Sequence, residues 1–405
     1  MSHSVVIVGA GQAAAQTVAS LRSEGFTGDI TLIGEEPYLP YQRPPLSKAY
    51  LAGELALERL FIKPEEFYTE AKCTLLLGTT VTAIDRAHST VTTSDGRSLP
   101  YETLVLTTGS RVRHLPIPGG ELPGVRYLRG IADVQAMQSL LKAGNKLVII
   151  GAGYIGLEVA AVAKKRGLSV TVLEMAPRVM MRAVSEELSA FYIAEHRKAG
   201  VVIHTNARVD SIREQGSGLM VHSSAGEVPA DFVIAGIGII PNVELARTAE
   251  LDIEDGIVVD QYSCTSDPKI YAVGDCTNHP CAHSTTTRAR LESVQNAIDQ
   301  AKHAAAAICG KPKPYNEVPW FWSDQYDLKL QIAGLAAKDD QLVVRGDPAT
   351  RSFAVFRLRQ GVLVAVEAVN AAPEYMMGRR LIAARAKVAP ERLADRAIPM
   401  KEMGS

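Results

Sequence analysis

Twice in this chain an apolar run breaks off at a Gly-x-Gly turn. The first is Val5-Val6-Ile7-Val8-Gly9-Ala10-Gly11-Gln12-Ala13-Ala14, and the second is Leu147-Val148-Ile149-Ile150-Gly151-Ala152-Gly153-Tyr154-Ile155-Gly156. Each reads as a buried parallel strand that ends on glycine and hands over to a helix, whose first amides have no intrahelical partner. Such amides hold a pyrophosphate, and the glycines let its oxygens approach the backbone. One motif of this kind is weak evidence, because any tight strand-to-helix turn favours glycine. The acidic residues that follow strengthen the case. Glu35 closes a second apolar run, Ile30-Thr31-Leu32-Ile33-Gly34, and Glu174 closes Val170-Thr171-Val172-Leu173. Both stand near the ~20-residue step at which a carboxylate accepts from an adenosine ribose hydroxyl. Glu174 would repel a 2′-phosphate and so favours NADH over NADPH, while Arg178 and Arg182 nearby are the residue type that accommodates NADP.

Two fingerprints in one chain suggest two dinucleotides that meet, the arrangement of a flavoprotein reduced by a nicotinamide. A length of 405 residues exceeds one core and implies two or three domains. The formal net charge of −1 gives no overall reason to expect a nucleic-acid or anionic-membrane partner. The run Val5–Ala10 is too short for a membrane span or signal segment, and no later run reaches the ~18 apolar residues of a membrane helix. The five cysteines, Cys73, Cys264, Cys276, Cys281 and Cys309, are few and odd in number, which suits a reducing compartment. The expectation is a soluble, cytoplasmic protein.

Strands alternate with helical stretches, the α/β signature. The first helix closes at Leu21-Arg22, with Gly25 as its cap. Pro37 to Leu46 holds four prolines and must be extended; Pro44-Pro45-Leu46-Ser47-Lys48 then opens a helix, with Ser47 as its cap. A strand over Thr103–Thr107 ends at Thr108-Gly109. Pro116-Ile117-Pro118-Gly119-Gly120 and Pro123-Gly124 mark a crossover into a second βαβ unit at Lys146–Glu174. Its late strand is Phe232–Gly238, and Pro241-Asn242 marks the return. From Pro312 the pattern changes: Trp320 and Trp322 lead into antiparallel strands at Gln341–Arg345 and Ser352–Phe356, then a helical stretch. The expected fold is α/β, with two Rossmann-like dinucleotide-binding domains and a C-terminal α+β domain. The first domain is discontinuous, 1–112 and 243–315; the second is 113–242 and the third 316–405.

A third signal is Thr265-Ser266-Asp267-Pro268-Lys269-Ile270-Tyr271-Ala272-Val273-Gly274-Asp275, a threonine and a short apolar strand ending in Gly-Asp. With Pro44–Lys48, Tyr127-Leu128-Arg129, Gly151–Glu158, Ala235–Asn242, Glu292-Ser293-Val294 and Pro319–Tyr326, it makes the chain resemble a known family over essentially its whole length. These are the FAD- and NADH-dependent ferredoxin reductases that serve cytochrome P-450 and ring-hydroxylating dioxygenase systems. The resemblance implies a glutathione-reductase-like architecture with FAD in the first domain and NADH in the second. The FAD contacts it implies are Gly9, Gly11, Ala13, Ala14, Glu35, Lys48, Val81, Arg129, Asp275 and Val294. The implied NADH contacts are Gly153, Ile155, Gly156, Glu158, Glu174, Arg182 and Gly236. Lys48, Glu158, Tyr154 and Trp320 become the candidate catalytic residues, although a helix dipole alone would favour Glu158 and core packing alone would explain Tyr154 and Trp320. Ala14 stands where a third glycine is commoner, and Thr107-Thr108-Gly109 where Ala-Thr-Gly is usual.

Disulfide reductases of this architecture carry a cysteine pair in the helix after the first βαβ loop, and oxidase relatives carry one cysteine there. The corresponding stretch here, Tyr41–Tyr50, has none. Electrons arriving as hydride therefore have no internal thiol to pass to and must leave from the flavin. Cys276, His279, Cys281 and His283 form the only cysteine cluster; they lack the paired zinc-knuckle spacing and abut Asp275, so a cofactor-side loop is expected and no metal. The implied partner is an acidic [2Fe-2S] ferredoxin. Lys302 and Lys401 are the leading docking cations, with Arg288, Arg290 and Lys329 behind them. The competing readings are an NADH oxidase or quinone-type reductase, which the empty cysteine position disfavours, and a redox-sensing flavoprotein resembling apoptosis-inducing factor.

Overall fold

The first apolar run is the central strand, Ser4–Val8, of a five-stranded sheet in the computed structural model, which describes residues 4–403. The strand order is Ile270–Ala272, Thr103–Leu106, Ser4–Val8, Asp29–Gly34 and Cys73–Leu77, and every pair is parallel. Both faces of the central strand are covered, which is why its sequence is apolar without alternation. Val5 and Ile7 pack with Ala14, Val18 and Leu21 of the helix Gln12–Ser23 and with Ala301 and Ala305 of the helix Val294–Ile308. Val6 and Val8 pack on the opposite side with Val81, Val91 and Ile257. Parallel pairing brings the carboxyl ends of Ser4–Val8 and Ile270–Ala272 to one rim, so the Gly9 turn and the Gly274-Asp275 pair share it despite their distance in sequence.

This sheet belongs to one of two compact units, made of the residues up to Gln42, Leu60–Arg111 and Ile240–Phe321; the other holds Arg43–Arg59, Val112–Ile239 and the residues from Trp322 on. The second unit contains a parallel sheet in the order Val202–His204, Ser169–Leu173, Lys146–Ile150, Phe232–Ala235, Val125–Tyr127. It also contains, from Trp322 on, the C-terminal antiparallel sheet, ordered Trp320–Gln325, Leu328–Gly334, Val362–Val369, Ser352–Arg359, Gln341–Asp347, with the helix Ala372–Ala383 against it. The helix Glu186–Lys198 starts on Ser185, whose hydroxyl accepts from the Leu188 amide. The Ser185 amide in turn donates to Glu367 at 2.8 Å, and Arg357 holds that carboxylate at 2.9 Å. A helix cap of the nucleotide half is thus tied to a buried ion pair of the C-terminal sheet.

Two details depart from the sequence reading. Pro44–Ser47 is a single 3₁₀ turn, not the opening of a longer helix, and Ser47 is its last residue, with its hydroxyl directed to Glu158 and the Pro44 carbonyl. The segment Arg43–Arg59, read with the first domain, groups with the second unit. Specific bonds hold it there: Arg166 to the Ala52 carbonyl at 2.7 Å, Gln138 to the Tyr50 carbonyl at 3.0 Å, and Lys165 to Glu54 at 2.7 Å.

Candidate functional site: two glycine cradles and a buried carboxylate

In the first unit, each position of the glycine turn has its own physical reason. Gly9 has φ +111°, and a Cβ there would lie 2.4 Å from the Thr107 carbonyl oxygen, so only glycine fits. A Cβ on Gly11 would meet nothing within 4 Å, which leaves room for a ligand to approach its backbone. Ala14, at the commoner glycine position, is fully buried in the helix face and accommodates its methyl. Gly34 packs so closely on Ala10 that a Cβ would come within 2.4 Å of the Ala10 methyl, which sets the exposed Glu35 at the strand end beside the turn. Gly274, at φ +88°, lies against Ala13 and Ala297, so the Asp275 loop packs onto the opening turns of two helices. Asp275 accepts from Ser110 Oγ at 3.0 Å. Val294 is the first residue of its helix, behind the Ser293 cap, and Val81 is buried at a strand start and presents backbone only.

The second unit repeats the design. Gly151 has φ +100°, with a Cβ 2.4 Å from the Gly236 carbonyl oxygen; Gly156 would place one 2.2 Å from the Gly151 carbonyl; Gly153 faces open space. Both oxygens of Glu174 accept backbone amides, Ala152 at 2.6 Å and Ala176 at 2.7 Å, so this carboxylate also holds the glycine loop in shape. Of the two arginines that could admit a 2′-phosphate, Arg178 is committed to the Val184 and Met181 carbonyls at 2.8 and 3.1 Å, whereas Arg182 is exposed. Ile155 is 42% exposed at the helix start, an apolar surface beside the open glycine. Tyr154 is half-buried, and burial, then the charge of Glu367, raises its hydroxyl pKa well above the ordinary value.

Glu158, only 3% exposed, is the focus of the same unit. Lys48 Nζ pairs with its Oε2 at 2.7 Å, Ser47 donates to the same oxygen, and Ser323 Oγ donates to Oε1 at 2.6 Å. The 3₁₀ turn places Ser47 and Lys48 consecutively on one carboxylate. Arg129 is in this unit too: its amide donates to Asp133 at 2.8 Å and its carbonyl accepts from Arg43 at 2.6 Å. Trp320 is half-buried at the start of its strand and groups with the first unit. Ser47 and Ser323 lie within motifs that carry the resemblance, but their role on Glu158 was not read, because a serine in a turn and one in a strand have no distinctive spacing from position 158.

The remaining candidates separate by their partners. Arg288 is bound to the Val259 carbonyl at 2.6 Å, and Arg290 to Asp255 and Glu292. Lys302 is half-exposed beside Asp299, and Lys329 and Lys401 are exposed. Among the described residues no group of three or more His, Cys, Asp or Glu is placed to hold a metal ion. Every thiol is pushed up by burial, Cys73 to about 12 and Cys264 to about 11, with Cys276, Cys281 and Cys309 in the same direction. No cysteine has the depressed pKa of a redox thiolate. No described helix is long and apolar enough to cross a membrane.

Two parallel sheets, each with a glycine cradle open at its second glycine and a carboxylate at the next strand end, define a protein with two dinucleotide-binding folds. The chain belongs to the pyridine nucleotide-disulphide oxidoreductase family, which its residues 3–301 match, and residues 320–404 match the reductase C-terminal family. It is 44% identical over 400 residues to rhodocoxin reductase of Rhodococcus erythropolis, covering 98% of this chain and 93% of that one. It is 45% identical over 403 residues to a ferredoxin–NAD(P)+ reductase of Sphingomonas, covering 98% and 97%. Among solved structures, the crystal structure of the covalent putidaredoxin reductase–putidaredoxin complex matches with a TM-score of 0.95 and 43% identity, covering 99% of this chain and 98% of that one.

Proposed function

We propose that the protein is an FAD-dependent NADH:ferredoxin reductase that takes a hydride from NADH and delivers single electrons to a [2Fe-2S] ferredoxin feeding a cytochrome P-450 or ring-hydroxylating oxygenase. The observation that carries this reading is two dinucleotide cradles in a chain with no cysteine in Tyr41–Tyr50. Bound FAD supplies the chemistry of accepting two electrons together and releasing them one at a time. The proposed FAD domain is 1–112 with 243–315, apart from Arg43–Arg59, which groups with the second unit, the proposed NADH domain is 113–242 and the C-terminal domain 316–405.

The chain's own residues bind and orient. Gly9, Gly11, Ala13 and Ala14 would receive the FAD pyrophosphate on helix amides, Glu35 would accept from its ribose, Asp275 would bind the ribityl chain, and Val294 would add a further contact. Val81 contributes backbone, and Lys48 and Arg129 contribute positive charge. Gly153, Ile155, Gly156 and Gly236 shape the NADH cradle. Glu174, already holding Ala152 and Ala176, keeps lone pairs for a ribose hydroxyl and repels a 2′-phosphate, while the commitment of Arg178 to its own loop leaves Arg182 alone to offset that repulsion. Glu158 holds Lys48 in place, and Tyr154 and Trp320 are the aromatic candidates for ring contact. Lys302, Lys401 and Lys329 are the cations left for an acidic ferredoxin in a cytoplasmic setting. The test is anaerobic NADH oxidation by the FAD-loaded protein with and without a [2Fe-2S] ferredoxin from the same host, repeated with NADPH. Acceleration by ferredoxin and a preference for NADH are expected. Reduction by NADH with no drain to ferredoxin would refute the reading.

A further inference from the structure

The Glu158 carboxylate ends a chain of direct hydrogen bonds whose other end reaches solvent. Ser323 Oγ donates to Glu158 Oε1 at 2.6 Å, and Gln325 Nε2 donates to Ser323 Oγ at 3.2 Å. His196 Nε2 lies 2.8 Å from Gln325 Oε1, and the Tyr326 hydroxyl lies 3.0 Å from His196 Nδ1. Ser323, Gln325 and His196 are each 0% exposed, whereas Tyr326 is 38% exposed. An amide oxygen only accepts, so His196 Nε2 carries the proton and Nδ1 accepts from Tyr326. Burial pushes the imidazole below its ordinary pKa, against the Gln325 bond and the Glu195 charge, which keeps one neutral tautomer. Every donor then points toward Glu158. The far end is held as well. Tyr326 has φ +58°, a conformation that residues other than glycine rarely adopt, and its neighbour Asp327 is gripped by Arg351, which also pairs with Glu195 at 2.9 Å.

We propose that His196 is a positioning residue for Glu158. Its Nε2–H fixes the Gln325 amide with the oxygen toward itself and the nitrogen toward Ser323, which obliges the Ser323 hydroxyl to give its one proton to Glu158. With the amide turned over, Ser323 would donate to Gln325 Oε1 instead. Glu158 would then keep only Ser47 and Lys48, and its negative charge would fall more heavily on Lys48. The chain is not a proton path, because Gln325 cannot take a proton on oxygen and release one from nitrogen without leaving its amide form. The inference rests on the reading above that Lys48 stands at bound FAD: a carboxylate with fewer donors draws the ammonium charge to itself and weakens its field at the cofactor.

The test compares the full-length, FAD-loaded wild type with His196→Leu, His196→Gln and Ser323→Ala. A glutamine side chain carries its amide N–H close to where the imidazole has Nε2–H, so it restores the donor; leucine removes it. Two quantities are read with no ferredoxin present: the reduction potential of bound FAD and the side-chain amide resonance of Gln325. His196→Leu is expected to shift the reduction equilibrium about tenfold toward the oxidised form, about 30 mV for a two-electron couple, and to move the Gln325 resonance. His196→Gln is expected to stay near wild type on both. Should His196→Leu fail to fold, Ser323→Ala carries the same expected potential shift by removing the final donor. Equal shifts in the leucine and glutamine variants would mean a packing role and overturn the proposal. So would a wild-type potential in Ser323→Ala, or a moved amide resonance without any potential shift. Failure of the ferredoxin reading would appear only in the wild-type turnover assay, where no substitution is involved.

Discussion

Gly151 and Gly153 stand two residues apart in one turn, and alanine at each should fail in opposite ways. At Gly151 the backbone has φ +100°, and the new Cβ would sit 2.4 Å from the Gly236 carbonyl oxygen. The left-handed geometry costs a side chain about 1–2 kcal/mol and forced overpacking about 1–3 kcal/mol, so Gly151→Ala should destabilise by about 2–5 kcal/mol. At Gly153 the backbone is extended, with φ −76°, and nothing lies within 4 Å of the new methyl. Reduced freedom of the unfolded chain would stabilise by about 0.4–1 kcal/mol, and alanine as a poorer helix N-cap would cost about as much. Stability should therefore stay within about 1 kcal/mol of wild type. The same methyl occupies the space a nicotinamide dinucleotide needs against the loop, so the NADH Kd should rise at least about tenfold, or 1.4 kcal/mol. Thermal unfolding and the NADH-concentration dependence of anaerobic flavin bleaching separate the two. A Gly153→Ala protein that binds NADH normally, or that melts as early as Gly151→Ala, would refute the division of roles.

Glu367→Gln leaves the buried Arg357 guanidinium without its counter-charge and should cost about 3–5 kcal/mol, measured as the urea midpoint; replacing both residues by apolar ones should recover most of it. His279 is 2% exposed with both ring nitrogens unpartnered, and burial, then Arg288, lowers its pKa to about 4. The unfolded chain takes up a proton there below about pH 6.5 while the folded one does not, so stability should be lost as pH falls from about 6.5 toward 4. Melting temperature against pH should lose part of this slope in His279→Leu; an unchanged slope would assign the acid sensitivity to other groups. Glu174→Gln keeps only one acceptor oxygen for the Ala152 and Ala176 amides and removes the repulsion of a 2′-phosphate. NADH affinity should fall and the NADH-to-NADPH ratio should narrow, read from paired kcat/KM values. The thiols should react slowly with alkylating reagents at neutral pH, and NADH-driven flavin reduction should survive their alkylation; rapid inactivation would point to a working thiol.

The glycine fingerprints, their acidic partners and the Gly-Asp pair were legible because each imposes a backbone or charge requirement that few residues meet. The C-terminal strands were legible from short β-branched and aromatic runs at Gln341–Arg345 and Ser352–Phe356, which the structure extends to Asp347 and Arg359. Ser47 was misread for an equally physical reason. A hydroxyl after two prolines looks like a cap when its only visible options are local, and its actual acceptor, Glu158, is 111 positions away. The chain from Glu158 to Tyr326 was illegible for the same reason, since no periodicity joins positions 158, 196, 323 and 325.

The fingerprint itself shows the limit from the other side. As a string it is one signal, yet its glycines do three different jobs. Gly9 and Gly151 are required by the neighbouring strand, whose carbonyl leaves no room for a side chain. Gly156 is required by the helix's approach to the turn, a need that Ala14 shows can be relaxed in the first copy. Only Gly11 and Gly153 have space above them that the fold does not use. A motif match therefore says that a cradle is folded, while the position within it that meets no neighbour is where a dinucleotide could approach the backbone. Because the two outer glycines are constrained and the middle one is free in the second copy, and the first copy differs only at Ala14, the case for two dinucleotide cradles rests on backbone geometry as well as on the sequence pattern.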